Sequence, residues 1–299
     1  MAEQTWFSKF PEMDRADLVA IRKTMDGAYR EFSRSYGDVI ESLFDPLLTI
    51  LVSFEKLLLA TPWFVVLGVL VALTFGATRS YKHAGGVLVA FLLIGYFGMW
   101  DNTMRTLSII TVATILSISV GIPIGIAMAR SDRMQAVVTP ILDVMQTMPA
   151  FVYLVPVVML LGIGKVPGII AVVIYAIPPI IRLTNLGIRL VDREVLEAAT
   201  AFGANETQRL FNVQLPLAMP NIMAGVNQTI MMALAMVVIA SMIGVKGLGQ
   251  PVLKSITNQY FTMGLLNGLA IVVIAIMFDR VSQAYAKRTQ RHLGGMHGE

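Results

Sequence analysis

The sequence predicts an all-α integral membrane protein with about seven transmembrane helices, and three observations carry that prediction. The 299 residues have a mean hydropathy of +0.71, and 56% of them are hydrophobic. Only 14% are charged, whereas soluble domains carry about 25% charged residues. Apolar stretches long enough to cross a bilayer, which takes about 20 residues, recur along most of the chain.

Seven such stretches follow Pro62, and short polar connections separate them. The first two are assigned as peripheral spans within 63–100, and the other five belong to a core at 101–285. The stretches lie at about 63–78, 84–100, 103–129, 140–161, 166–183, 218–244 and 262–283.

The segment before the spans has a different character. Residues 1–45 hold six Lys/Arg and nine Asp/Glu, which predicts a polar tail. Residues 46–62 are apolar but are interrupted by Glu55 and Lys56. A short apolar segment with charges of this kind favours an amphipathic segment at the membrane surface.

The distribution of basic residues predicts the orientation. Connections after the first, third, fifth and seventh stretches, together with Arg182, hold twelve Lys/Arg, and the opposite connections hold four. Because basic residues concentrate in cytoplasmic loops, the C-terminal tail at 286–299 is expected in the cytoplasm and the N-terminal tail outside. Trp63 and Trp100 then fall at outer ends of spans, where aromatic belt residues are common.

A polar loop at 190–218 interrupts the spans on the predicted cytoplasmic side and contains helix signals of its own. Asp192 can cap a first short helix, and Gly203 stands where a left-handed C-cap would end it. Asn205 and Gln208 have the spacing of a capping box that begins a second helix, and Pro216 predicts a bend back into the membrane. Two interpretations stay open from these signals: a solvated link between spans, or a docking element for a partner.

The spacing of Glu197, Ala198, Ala199, Gly203, Leu215 and Pro216 resembles the EAA loop of permease subunits of binding-protein-dependent ABC importers. The stretches 143–170, 176–188, 214–230 and 237–253 are similar to the quaternary-amine branch of that family. Members of that branch import glycine betaine, proline betaine, choline or related osmolytes. The resemblance covers about residues 100–285.

This resemblance implies a type I ABC importer permease core in the cytoplasmic (inner) membrane. It implies that two permease copies, in a homodimer, form the pathway. Two separate ATPase subunits would bind ATP-Mg, and an external binding protein would deliver the substrate. Glu197, Ala198, Ala199, Gly203, Leu215 and Pro216 would couple this chain to the ATPase. The chain itself is expected to hold no catalytic residue, metal or cofactor, and to contact lipid but no nucleic acid.

Candidates for the pathway lie in the sixth stretch. Polar or small residues recur there at helical spacing, and they include Asn221, Gln228, Met232 and Ala235. Polar side chains inside spans often face a cavity, but small and amide residues also hold membrane helices together. Pathway lining and helix packing therefore both remain open for this stripe.

Two other classes of function are alternatives to an importer subunit. An ion-coupled secondary carrier or an osmolyte channel would need no ATPase partner, but carriers usually hold ionisable groups or broken helices at mid-membrane. The main ionisable residue in the spans is Asp143, near a predicted cytoplasmic end. A membrane enzyme would need an acid–base pair, a metal cluster or an activated nucleophile, and the spans contain none. The carrier or channel also leaves the EAA-like loop at 190–218 unexplained.

Overall fold

A computed structural model describes residues 12–294, and every regular element in that range is helical. The end of the predicted tail at 286–299 lies outside the described residues. A π-helical turn at Leu210–Gln214 joins α10 to α11, and a 3-10 turn at Ser241–Ile243 follows α11. The α-helices are α1 (Arg15–Ala60), α2 (Trp63–Thr78), α3 (Tyr81–Tyr96), α4 (Trp100–Arg130), α5 (Asp132–Thr147), α6 (Ala150–Leu161), α7 (Lys165–Ala176), α8 (Pro178–Arg189), α9 (Arg193–Ala201), α10 (Glu206–Arg209), α11 (Leu215–Ala240), α12 (Gly249–Asn258) and α13 (Phe261–Gly294).

The helical membrane fold is confirmed, but the number of spans differs from the prediction of about seven. Within residues 12–294, four helical segments are long and apolar enough to cross a membrane by themselves. Two more pass only as bent pairs, α1 with α2 at 109° and α5 with α6 at 101°, so the number is four to six. The apolar helix α3 is shorter than these. The four single segments are Trp100–Arg130, Lys165–Arg189, Glu206–Ile243 and Phe261–Ala286.

Proline explains why the predicted stretch 140–161 is not one helix. Met148 is extended, with ψ 134°, and Pro149 follows it directly. Thr61 before Pro62 has the same ψ at the bend between α1 and α2. The proline ring clashes with a helical conformation of the residue before it, so the chain turns at both prolines. The hydropathy of the sequence alone does not predict this turn.

The predicted boundary between a tail at 1–45 and an interfacial segment at 46–62 has no counterpart in the backbone. α1 runs through it as one helix of 46 residues that contains Pro46. The N-terminal half of α1 is supported by α6: the Tyr29 hydroxyl donates to the carbonyl of Pro156, and Ser33 donates to that of Met159 at 3.3 Å. Helical structure there is therefore stabilised by tertiary contact. The position of this segment relative to the membrane surface stays a prediction.

The centre of the molecule is formed by α4, α7, α8 and α11, which pack against one another. Lys165–Arg189 is the most enclosed of the four spans, with 72% of its apolar window buried. Glycines permit close approach, as is typical of membrane helices. A Cβ on Gly125 of α4 would lie 2.8 Å from the carbonyl oxygen of Ile181 in α8, and a Cβ on Gly187 of α8 would lie 2.8 Å from the Cβ of Asn221 in α11.

Gly187→Ala is expected to lower the stability of the fold, because overpacking a close helix contact costs about 1–3 kcal/mol. A Cβ on Gly76 in α2 would meet no atom within 4 Å, so Gly76→Ala provides the matched control. The apparent Tm in detergent, measured by scanning fluorimetry, should fall by roughly 2–8 °C for Gly187→Ala and should not fall for Gly76→Ala. An equal Tm for the two variants would contradict the close packing of α8 on α11.

Candidate functional site

The first helix of the 190–218 loop, hereafter the coupling loop, presents its surface to solvent. The Asp192 carboxylate accepts a hydrogen bond from the Glu194 amide at 3.0 Å, so the predicted N-cap is confirmed. No residue of α9 is buried. Glu197 and Ala198 are exposed, and Ala199 is half-buried. α9 therefore offers a helical surface that the described part of the chain does not cover.

The corner after α9 is built on Gly203. Its φ of +85° lies in the left-handed region, as the sequence predicted, and the Ala204 amide donates to the Ala199 carbonyl at 3.0 Å. Phe202, at the tip of this corner, is 93% exposed. A phenyl ring in that position is unusual for a solvated surface and is typical of a side chain that a partner covers.

The second half of the loop begins with the predicted capping box. Asn205 Oδ1 accepts from the Gln208 amide at 2.8 Å, and Gln208 Oε1 accepts from the Asn205 amide at 3.0 Å. This reciprocal pair satisfies two amides that a helix start leaves without partners. The corner and its flanking helices are thus fixed by local hydrogen bonds.

Leu215 and Pro216 are half-buried where the loop rejoins the membrane helix, and the predicted bend at Pro216 is wrong. The helical segment runs without a break from Glu206 to Ile243. In the π-helical turn before the proline, the Leu215 amide bonds to the carbonyl of Leu210. This wider turn, together with a position near the start of α11, accommodates a residue that has no amide hydrogen to donate.

Polar contacts tie the base of the coupling loop to neighbouring helix ends. Arg189 donates to Asn185 Oδ1 at 3.1 Å and to the Met128 carbonyl at 2.9 Å, and it forms an ion pair with Asp132 at 2.7 Å. Leu210 is 3% exposed within an apolar cluster that also contains Ile188. A force on the loop would therefore reach α4, α5 and α8 through direct contacts. Asp143 is not an isolated charge in the span, since it pairs with Arg182.

The predicted pathway stripe on α11 is divided by the structure. Asn221 is half-buried and faces Gly187 of α8. Met232 packs against the larger apolar cluster. Gln228 and Ala235 are exposed. Asn221 and Met232 thus take part in helix packing, whereas pathway lining by Gln228 and Ala235 stays a prediction.

A second stripe, made only of exposed residues, lies on one face of α11. It is rotated slightly around the helix from the predicted stripe and shares some of its residues. Its members recur at intervals of seven, four, three and four residues along α11. They are Leu217, Ala224, Gln228, Met231 and Ala235. Gln228 and Met231 also line a groove of about 490 Å³ between α11 and α13. Within residues 12–294, this face of α11 is exposed.

The sequence reasoning missed a polar network beside that groove. Asn227 Nδ2 donates to Asp279 Oδ1 at 2.9 Å, the Ser282 hydroxyl donates to Asn227 Oδ1 at 2.7 Å, and Gln283 Nε2 donates to Asp279 Oδ1 at 2.6 Å. The network joins α11 to α13. A search of the last predicted span for ionisable residues would have identified Asp279.

The match to a protein family decides the class of the molecule. A family model described as "Binding-protein-dependent transport system inner membrane component" matches residues 121–291, which include the whole coupling loop. The chain belongs to this family. It is therefore a multi-pass inner-membrane permease of a system that also contains an ATPase and a substrate-binding protein, and it is a transport subunit rather than an enzyme.

Comparison with individual relatives shows how similar this chain is to other members of the family. The chain is 48% identical to the glycine betaine/proline betaine transport system permease protein ProW of Escherichia coli (strain K12), over 84% of this chain and 71% of that protein. It is 42% identical to the glycine betaine transport system permease protein OpuAB of Bacillus subtilis (strain 168), over 91% and 96% of the two chains. Inward-facing structures of the MetNI methionine ABC transporter share the permease fold, with a TM-score of 0.57 at 20% identity, over 62% of this chain and 93% of that chain.

Proposed function

We propose that this permease carries glycine betaine, proline betaine, choline or a related osmolyte from an external binding protein to the cytoplasm, driven by ATP hydrolysis on partner subunits. The similarity to two permeases named for glycine betaine transport, at 48% and 42% identity over most of the chain, carries the choice of substrate. Because the similarity covers 84% and 91% of this chain, the substrate class is inferred from most of the sequence rather than from one motif.

The coupling loop is the proposed contact with the ATPase. Glu197, Ala198 and Ala199 would lie in a groove of an ATPase subunit, and the exposed ring of Phe202 would be covered there. Gly203, with Leu215 and Pro216, would hold the corner and its attachment to α11. ATP-Mg would be bound by two ATPase subunits, one beneath each permease copy. The uncovered surface of α9 and the fixed corner geometry support this proposal.

A second copy of the permease would complete the pathway. The exposed stripe on α11 has the spacing of a helix face that packs against or across from a partner, and it contains the predicted pathway residues Gln228 and Ala235. A symmetric pair of such faces would enclose a path between the two copies. Asn221 and Met232 would then support the path from behind, through contacts with α8 and with the larger apolar cluster.

We propose the orientation that the basic residues predict, with the C-terminus and coupling loop in the cytoplasm and the N-terminus outside. Three arginines at the coupling loop support this orientation: Arg130 bonds to Glu206 of the loop at 2.9 Å, Arg189 directly precedes the loop, and Arg209 lies within it. Basic side chains concentrated at one end of the bundle are typical of the cytoplasmic face.

Uptake by reconstituted vesicles tests the proposal. Vesicles containing this chain with its ATPase and binding protein should accumulate radiolabelled glycine betaine only when ATP is enclosed on the ATPase side. Ionophores that collapse proton and sodium gradients should leave the initial rate unchanged. Gradient-driven uptake by the chain alone would instead indicate a secondary carrier, and passive efflux without ATP would indicate a channel.

A further inference from the structure

A cavity of about 410 Å³ lies where the ends of α2, α3 and α4 meet, away from the coupling loop and from the exposed stripe on α11. Four of its lining residues are aromatic, and none of the seven is charged. It lies before residue 121, where the match to the family model begins. Its lining residues are Trp63, Leu67, Phe91, Leu92, Gly95, Tyr96 and Trp100.

The chain brings these rings together through two turns at the same end of the bundle. Trp63 is the first residue of α2, directly after the bend at Pro62. Tyr96 is the last residue of α3, and Trp100 is the first of α4. The turn between them depends on Gly98, which has φ +72°. Three helix ends thus place three aromatic rings around one opening.

The cavity has a closed floor and an open rim. Phe91 is fully buried, at 0% exposure, and Leu67 is at 5%. At the rim, Trp63 and Tyr96 are 56% and 85% exposed. Their ring contacts are with Phe64 and Phe97, their neighbours in the chain. Trp63 and Tyr96 therefore do not stack on each other across the cavity.

Gly95 leaves space beside the indole of Trp100. A Cβ at Gly95 would lie 3.7 Å from Cε3 of Trp100, so any larger side chain there would occupy the space beside the indole. Ordinary belt residues at a membrane interface require neither a buried phenyl floor nor a glycine that leaves an indole uncovered. These two features distinguish the cavity from a simple row of interfacial anchors.

We propose that this cavity binds a quaternary ammonium group. Tryptophan and tyrosine faces attract such cations through their ring quadrupoles, and several converging rings form the aromatic cages that recognise choline and methylated lysine. A trimethylammonium group has no hydrogen to donate, so a lining with few polar atoms suits it. The choice of ligand rests on the proposed function, because the proposed substrates carry this group.

Two sources could supply the quaternary ammonium group: a free osmolyte or a phosphatidylcholine headgroup at the membrane surface. Both would place a trimethylammonium group among the same rings. The cavity lies at the predicted outer ends of the helices, where either source would have access. Binding in membranes without phosphatidylcholine distinguishes them.

Intrinsic fluorescence provides a direct measurement, because the chain has three tryptophans and two of them line the cavity. The third, Trp6, lies outside the described residues and is replaced by phenylalanine in the background variant. This variant is placed in nanodiscs of phosphatidylethanolamine and phosphatidylglycerol and titrated with tetramethylammonium and with glycine betaine. We expect a saturable change in emission. The carbon isostere 3,3-dimethylbutyrate keeps the carboxylate but has an uncharged tert-butyl group in place of trimethylammonium, and it should bind more weakly than glycine betaine by roughly 2- to 30-fold.

Substitutions assign the effect to the rings. Tyr96→Leu and Trp63→Leu should each weaken binding by roughly 2- to 30-fold, whereas Trp63→Phe should retain most of it. Tyr81→Leu is the matched control for Tyr96→Leu, because Tyr81 is 82% exposed on the same helix but does not line the cavity. Since Tyr96 is 85% exposed, its replacement should leave the fold intact, and an unchanged apparent Tm checks this.

The outcomes separate the site from the transport proposal, since the titration needs neither ATPase nor binding protein. Saturable binding that Tyr96→Leu weakens and Tyr81→Leu does not would support the cage. A response only after phosphatidylcholine is added, lost in the same variants, would support it with lipid as the source. The absence of a saturable response in both membranes, or equal binding of the carbon isostere, would overturn it even if ATP-driven uptake proceeds. A failure of ATP-driven uptake with binding intact would overturn only the transport proposal.

Discussion

Gly203→Val is expected to reduce ATP-driven uptake by about tenfold or more while leaving membrane insertion intact. Gly203 has φ +85°, and a left-handed conformation costs an L-residue roughly 1–2 kcal/mol, with a β-branched side chain fitting it worst. No atom lies within 4 Å of the position that a Cβ would take. The expected loss therefore comes from the backbone: the corner opens, and α9 no longer presents Glu197 and Phe202 in one arrangement. Uptake in vesicles and co-purification of the ATPase measure the effect.

Two variants control this experiment. Gly203→Asn should retain most of the uptake, because asparagine tolerates the left-handed region better than other residues with a side chain. Gly98→Val imposes a similar strain at φ +72°, also with no atom within 4 Å, but in the α3–α4 turn. It should leave ATPase co-purification unchanged. If Gly203→Val retained full uptake, the corner would have no part in coupling.

Glu55→Gln is expected to lower the apparent Tm by roughly 4–8 °C, corresponding to about 2 kcal/mol. Glu55 is 7% exposed in α1. Its carboxylate pairs with Lys165 Nζ at 2.6 Å and lies 3.7 Å from Arg105 Nε. Removing one member of a buried ion pair costs about 3–5 kcal/mol because it leaves an unpaired charge. The expected cost here is smaller, because the two cationic side chains are each 28% exposed.

The double variant Glu55→Gln with Lys165→Gln should recover part of the lost Tm, because it removes one of the two cations left unpaired. Glu206→Gln is the matched control, since it breaks the Arg130–Glu206 pair, whose side chains are 50% and 75% exposed. Exposed pairs contribute about 0–1 kcal/mol, so its Tm should change little. Equal Tm values for Glu55→Gln and Glu206→Gln would contradict the assignment of Glu55 as a buried link between α1, α4 and α7.

Glu55 shows where sequence reasoning fell short. In the sequence, the adjacent charges of Glu55 and Lys56 indicate a segment at the membrane surface. In the structure, Lys56 is exposed, whereas Glu55 is enclosed by α4 and α7. Its partners lie 50 and 110 residues away in the chain. No local pattern carries that information, because the contact exists only once the helices have packed.

The local structure of the coupling loop, in contrast, could be predicted from the sequence. Its caps at Asp192 and Asn205 and its left-handed glycine at Gly203 are all found as the sequence predicted. Each depends on hydrogen bonds or backbone angles within a few residues, so the local sequence is sufficient. The exception is Pro216, where the sequence predicted a bend and the structure has a continuous helix. The π-helical turn before Pro216 accommodates the missing amide hydrogen of the proline.

The sequence by itself determined the membrane class, the local structure of the coupling loop and the resemblance to binding-protein-dependent permeases. These follow from composition, short-range capping and motif spacing. Only the tertiary structure decided that Asn221 faces α8 while Gln228 stays uncovered, that Glu55 pairs with Lys165, and that Trp63, Tyr96 and Trp100 surround one cavity. These facts depend on how each helix is rotated and bent against its neighbours, and that is set by the packing of residues far apart in the chain.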